Sequence, residues 1–110
     1  MPPKRIPADV GRAAVTGALA GARPELAMAT RYLLQVLAEN AEGNTVEVRV
    51  PPFGAVQAVE GPRHTRGTPP NVIEMDAPTW LALATGGTTW ALAVASGAVS
   101  ASGARADLAP

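Results

Sequence analysis

Residues 88–103 read TTWALAVASGAVSASG, and the fold turns on whether the first half of this stretch is a strand or a helix. Trp90, Leu92 and Val94 alternate with alanines as in a strand with one buried face, whereas Trp90, Ala93 and Val94 share one side of a helix. Propensity alone does not separate the two. The second half, GAVSASG, fits a strand of small residues between Gly97 and Gly103. Its composition also suits a frayed tail, because Ala, Ser and Gly bury little surface and lose backbone entropy on ordering.

Working outward, APTWLALATGG (77–87) reads as a short helix opened by Pro78 and stopped at Gly86, with Trp80, Leu83 and Ala84 on one side. NVIEMD (71–76) is a short strand, and GPRHTRGTPP (61–70) is a long polar loop. Before it, AVQAVE alternates imperfectly after Phe53 and Gly54. In NTVEVRVPP, Val46, Val48 and Val50 alternate with Thr45, Glu47 and Arg49, the repeat of a strand with one buried face, and Pro51 and Pro52 end it because neither donates to a ladder. Further back, Pro24 and Glu25 suit a helix start, Leu26, Ala29, Leu33, Val36 and Leu37 fall on one face, and Gly43 stops the run. Asp9 to Ala22 reads as a weaker helix with Asp9 as N-cap, since Gly11, Gly17 and Gly21 each cost about 1 kcal/mol relative to Ala. Residues 1–8 are expected to form a flexible arm and 9–110 a single domain. Helices, three strands, two short helices, a strand and a terminal turn at ARADL make an α+β plan: a mostly antiparallel sheet with helices packed on one face.

Composition narrows the chemistry. At 110 residues the chain forms one domain, burying roughly two thirds of its unfolded surface. Nine basic and nine acidic side chains balance, so no long-range field gathers nucleic acid or an anionic membrane. The absence of Cys excludes disulfides, thiolate nucleophiles and thiolate zinc sites, and the lone His64 cannot build a multi-histidine metal site. No window reaches the roughly 20 apolar residues of a membrane span, and Asp9 and Arg12 interrupt the apolar core a secretion signal needs. A soluble cytoplasmic protein without metal or cofactor is expected.

The densest polar feature is Arg63, His64, Thr65 and Arg66, where two guanidinium groups beside an imidazole could grip a carboxylate or phosphate, or form a solvated loop pinned to Glu60 or Glu74. His64 as a catalytic base would need a carboxylate and a nucleophile beside it. Glu74 and Asp76, two apart on the expected strand, would share a face and repel, or sit exposed on its solvent side. Neither ATGGTT nor GAVSASG has the Lys-Ser/Thr ending of a phosphate loop, so both glycine clusters read as helix stops. No catalytic residue is assigned.

Trp80 to Gly86, Trp90 to Gly97, then AVSASG and ARADL, together with VEVRVPPFGAVQ and GPRHTRGTPPNV, resemble the sterol carrier protein family in its bacterial branch, over roughly residues 25 to 109. The resemblance implies a helix at TTWALAVA, a strand from Ala98 to Ser102, and a four- or five-stranded sheet. It also implies an apolar tunnel between sheet and helices for a fatty acyl or sterol-like lipid. On that expectation the lining is Leu33, Val36, Leu37, Phe53, Trp80, Leu83, Trp90 and Val94, while plain core packing competes for the same side chains. Arg63, His64 and Arg66 are the expected polar contacts. Similar domains stand at the C-terminus of mycothiol-dependent isomerases and some acetyltransferases, whose catalytic parts lie elsewhere, so no autonomous catalysis is expected. Related chains run a few apolar residues beyond ADL, and a shorter end could leave the tunnel mouth open. A structural module with a solid core, meeting a protein partner or forming a homodimer through its sheet or its PPFG and RHTRG loops, is the alternative.

Overall fold

Three valines anchor the architecture. In the computed structural model of the chain, which describes residues 5–41, 43, 46–58 and 71–102, β1 (Val46–Val50) buries Val46, Val48 and Val50 completely while Glu47 and Arg49 face the other way. The turn at Pro51 to Phe53 returns the chain into β2 (Gly54–Ala58), antiparallel to β1. On the other side of β1 lies β3 (Asn71–Met75), in parallel register with Val48 opposite Ile73, and β4 (Val99–Ser102) pairs antiparallel with β3. The sheet order is β2-β1-β3-β4. The α+β plan therefore holds, with one refinement: the sheet is mixed, because its central pairing is parallel, and it has four strands among the described residues.

Among the described residues four helices accompany it, α1 (Ala8–Leu19), α2 (Leu26–Asn40), α3 (Ala77–Thr85) and α4 (Trp90–Ala95), with a 3-10 turn at Arg23–Glu25. They cover one face of the sheet. Val46, Val48, Val50, Ile73, Met75 and Val99 on that face make one core with Leu34 of α2, Ala77 and Trp80 of α3, and Ala93 of α4. Burying such a side chain contributes roughly 1.5–3 kcal/mol. The opposite face carries Glu47, Arg49, Glu74 and Ser100 toward solvent, with an ion pair of 2.6 Å between Arg49 and Glu47. A smaller core of Ala14, Ala29 and Leu81 joins α1, α2 and α3. Small residues matter there: a Cβ on buried Gly11 would run into the Tyr32 ring, so α1 crosses α2 this closely only with glycine at that point.

Local chemistry settles the opening ambiguity in favour of helix. The Thr89 side chain accepts from the Leu92 N–H at 3.2 Å, capping α4, and Gly97, at φ +79°, ends it while the Ala98 N–H returns to the Ala93 carbonyl at 3.1 Å. Helix α3 is built alike. Asp76 accepts from the Thr79 N–H at 2.9 Å, Pro78 sits in the first turn, and Gly86 takes φ +82° as the Gly87 N–H bonds the Ala82 carbonyl at 2.7 Å.

Three local expectations differ from the structure. Pro7, not Asp9, is the N-cap of α1, and Asp9 falls in its first turn. Glu74 and Asp76 do not share a strand face, because β3 stops at Met75 and Asp76 turns to cap α3. Ala8 belongs to α1, and the two residues Arg5 and Ile6 are held against α2 rather than loose: Arg5 Nε and Nη2 donate to the Glu39 carboxylate at 2.7 and 2.9 Å. Thr45, Gly103 and the ARADL turn lie outside the described residues.

Candidate functional site

The 15-residue helix α2 presents a different wall to each neighbour. On one side Leu33, Val36 and Leu37 face Trp80, Leu83 and Ala84 of α3 and Thr88 and Trp90 at the start of α4, around a hollow of about 330 Å³. Among the described residues that line it, none is charged. The hollow is a groove open along one side rather than a closed tunnel. Trp80, only 4% exposed, is fixed in place, because its indole N–H donates to the Thr30 carbonyl at 3.3 Å. Trp90 is half-buried and packs on the main core, and so do Leu33, Leu37 and Leu83.

Six of the eight residues expected to line a lipid site thus meet around one hollow: Leu33, Val36, Leu37, Trp80, Leu83 and Trp90. The other two are elsewhere. Phe53 closes the turn after β1, beside a different groove between α2 and β2, and Val94 is 43% exposed because the helical turn that buries Ala93 rotates it outward. The hollow lies among three helices rather than directly between helices and sheet. Arg63, His64 and Arg66 lie outside the described residues. Ala84 and Thr88 were not among the expected lining residues; Ala84 falls on the Trp80 and Leu83 side of α3, which is the signal that finds it.

The other side of α2 is polar at its rim. Met28, Leu34 and Ala38 with Val56 of β2 and Phe53 wall a groove of about 670 Å³, edged by Arg31, Gln35, Glu39 and the segment Arg5–Ile6. A third cleft, of about 640 Å³, runs between the end of α1 and α3, past Leu19, Leu26, Leu81 and Ala82. The hydrogen bond from Arg5 holds the Glu39 carboxyl below the usual carboxylate range. Hydrogen bonds from Thr79, side chain first and backbone N–H second, do the same for Asp76.

Among the described residues no three His, Cys, Asp or Glu side chains lie together, and no helix is long and apolar enough to cross a membrane. What the arrangement offers is an open groove with apolar walls. In comparison with known families, the family described as bacterial SCP ortholog matches residues 22–110, a span that takes in α2, the sheet, α3 and α4 and leaves out the first helix. No curated protein matches the chain significantly. By sequence match and by its α+β architecture, this chain belongs to the bacterial branch of the sterol carrier protein family.

Proposed function

We propose that the chain is a small non-enzymatic binding module that holds an apolar ligand, a fatty acyl chain or sterol-like lipid, in the hollow between α2, α3 and α4. The observation that supports this reading is the lining: seven side chains from α2, α3 and α4, with Thr88 from the α3–α4 loop, surround about 330 Å³ without one charge among them. Ligand pockets run from roughly 300 Å³ upward, so the hollow suits part of a chain rather than a whole lipid. Each buried methylene contributes about 0.8 kcal/mol, so eight of them gain roughly 6 kcal/mol before the cost of association. Such a carrier binds loosely and releases readily. It is expected to work in the cytoplasm, without metal or cofactor.

Native mass spectrometry of protein purified from its host tests the reading. The expected result is a lipid adduct, co-purified or loaded at one per chain; repeated failure to find or load any lipid overturns it. Leu83→Phe, which fills the hollow, is expected to abolish loading, whereas His64→Ala leaves loading intact.

One observation favours a second reading, a structural module that meets a protein partner or a second copy. Leu92 and Val94 on α4 are 63% and 43% exposed, apolar side chains that a partner surface would cover. If this reading holds, sedimentation finds a dimer that Leu92→Glu disperses; a monomer at all concentrations removes the homodimer.

A further inference from the structure

We propose that the outer edge of β4, with Leu92 of α4 above it, is a self-docking surface. Two copies of the chain join antiparallel through β4 about a twofold axis, so that two four-stranded sheets run on as one. This rests on the second reading above and gives that reading its surface.

Strand β4 is an outer strand of the described sheet, bonded to β3 on one side only. Among the described residues its other edge leaves backbone N–H and C=O groups without a strand partner, which is a template for pairing with another chain. Edge strands are ordinarily guarded by a charge, a proline or a bulge. Val99, Ser100, Ala101 and Ser102 pair with β3 in unbroken register and supply none of these. Their small side chains let a second backbone approach to strand distance.

The exposed leucine stands over the same edge. The helix layer follows the order of the sheet, since α2 lies on β2, α3 packs on α2, and α4 packs on α3 and β4. Within α4, Trp90 faces α2 and α3 around the hollow, and Ala93 faces the core. Leu92 lies two residues on from Trp90, about 200° around the helix, so it points away from the hollow and beyond the edge of the sheet. It is 63% exposed.

Charge argues that the occupant is a second copy. About a twofold axis each residue meets the surroundings of its own equivalent, so any charge near the axis is opposed by its like. From Ala77 to Ser102, the stretch that forms α3, α4 and β4, there is no Asp, Glu, Lys, Arg or His. The acid on the neighbouring strand, Glu74, would stand three strand spacings, roughly 14 Å, from its copy, beyond the screening length of about 8 Å at physiological salt. The other outer strand is different: β2 runs beside a groove edged by Arg5, Arg31 and Glu39. An axis perpendicular to the sheet keeps Val99 and Ala101 of both copies on the helix side and brings the two Leu92 side chains together above the seam. A seam of four residues and one leucine per copy is smaller than a permanent dimer requires, so the assembly forms and dissociates with concentration.

The test mixes full-length chain labelled with carbon-13 and nitrogen-15 with unlabelled chain, and records isotope-filtered nuclear Overhauser spectra beside sedimentation over a range of concentrations. A monomer–dimer equilibrium is expected, with cross-peaks between β4 of one copy and β4 of the other and between the two Leu92 methyl groups. Leu92→Glu and Leu92→Lys are each expected to weaken the dimer about tenfold or more, as loss of a buried leucine contact does, and mixing the two variants restores it, a rescue that a folding defect does not give. A dimer without cross-peaks in β4, or variants whose mixture does not recover, overturns the proposal and leaves the second reading standing. A monomer at every concentration overturns the proposal and the homodimer together. Shifts in β4 that appear on adding phosphatidylcholine vesicles but not on raising protein concentration give the edge to lipid and overturn it as well.

Discussion

The two sides of α2 use one helical repeat for opposite purposes. Leu33, Val36 and Leu37 give α3 and α4 a wall without polar atoms, while Arg31, Gln35 and Glu39, spaced four apart, give the N-terminal segment and β2 a wall that bonds backbone and charge. A surface of the first kind holds a guest by burial alone and distinguishes little beyond size. A surface of the second kind can orient a guest, because a guanidinium and a carboxamide impose direction. The uncharged side also belongs to the main core through Trp80, so its stability and its capacity to bind draw on the same side chains. The polar side is tied in differently: the hydrogen bonds of the Arg5–Ile6 strap run to Gln35 and Glu39 of α2, while Leu34, Phe53 and Val56 beside it also pack in the main core.

That contrast can be broken first at Trp80. Trp80→Ala removes a nearly buried indole and its bond to the Thr30 carbonyl, and it is expected to cost about 3–5 kcal/mol in denaturant unfolding. At temperatures where the variant stays folded, amide shifts around Gln35 and Ile6 should hardly move; shifts there as large as around Leu83 would mean the two sides are not independent. Thr30 sharpens the comparison from within the helix. Its hydroxyl is fully buried and makes no hydrogen bond among the described residues. Thr30→Val keeps the shape and removes the stranded oxygen, so a gain of about 1 kcal/mol is expected in the same unfolding measurement; a loss would show that the hydroxyl is satisfied in solution.

The smallest effect is at Asp76, which starts the helix forming the far wall of the hollow. Asp76→Ala is expected to cost about 1 kcal/mol at neutral pH, the usual worth of an N-cap. Because Thr79 lowers the folded-state pKa, the cap's charged-form contribution is fully present above the unfolded value near 3.8 and is lost as pH falls through the lower folded value. The gap between parent and variant should therefore be constant from pH 7 to about 5 and close only below about pH 4. A gap that begins to close near pH 6 would assign it to another group.

How far these features could be read from residues depended on how local their causes are. Strand β1 was plain, because alternation of Val with Glu and Arg needs no partner to be seen. Helix α3 was equally legible through Pro78 and Gly86. Helix α4 was not, since Trp90, Leu92 and Val94 alternate like a strand; the deciding signals were the capping Thr89 and the left-handed Gly97 that bracket it. The helical reading itself grouped Val94 with Trp90 and Ala93, whereas in α4 Ala93 turns inward and Val94 outward. The parallel pairing of β1 with β3 leaves no local trace, because register between distant strands is set by tertiary packing. Least legible was the strap. Arg5 and Glu39 are 34 residues apart, Ile6 and Gln35 are 29 apart, and nothing in MPPKRIP announces either meeting. The six hydrophobic residues that converge on one hollow share helical spacing that the sequence displays, whereas Phe53 sits in the turn between β1 and β2, beside a groove on the other side of α2.

Quenching of indole fluorescence by an acyl chain brominated near its terminus tests the central claim most directly, because Trp80 and Trp90 both line the uncharged hollow. The account predicts saturable quenching at one chain per protein, abolished in Leu83→Phe. An acyl chain that binds, by native mass spectrometry, without quenching either indole, or that fails to bind at all, would contradict it.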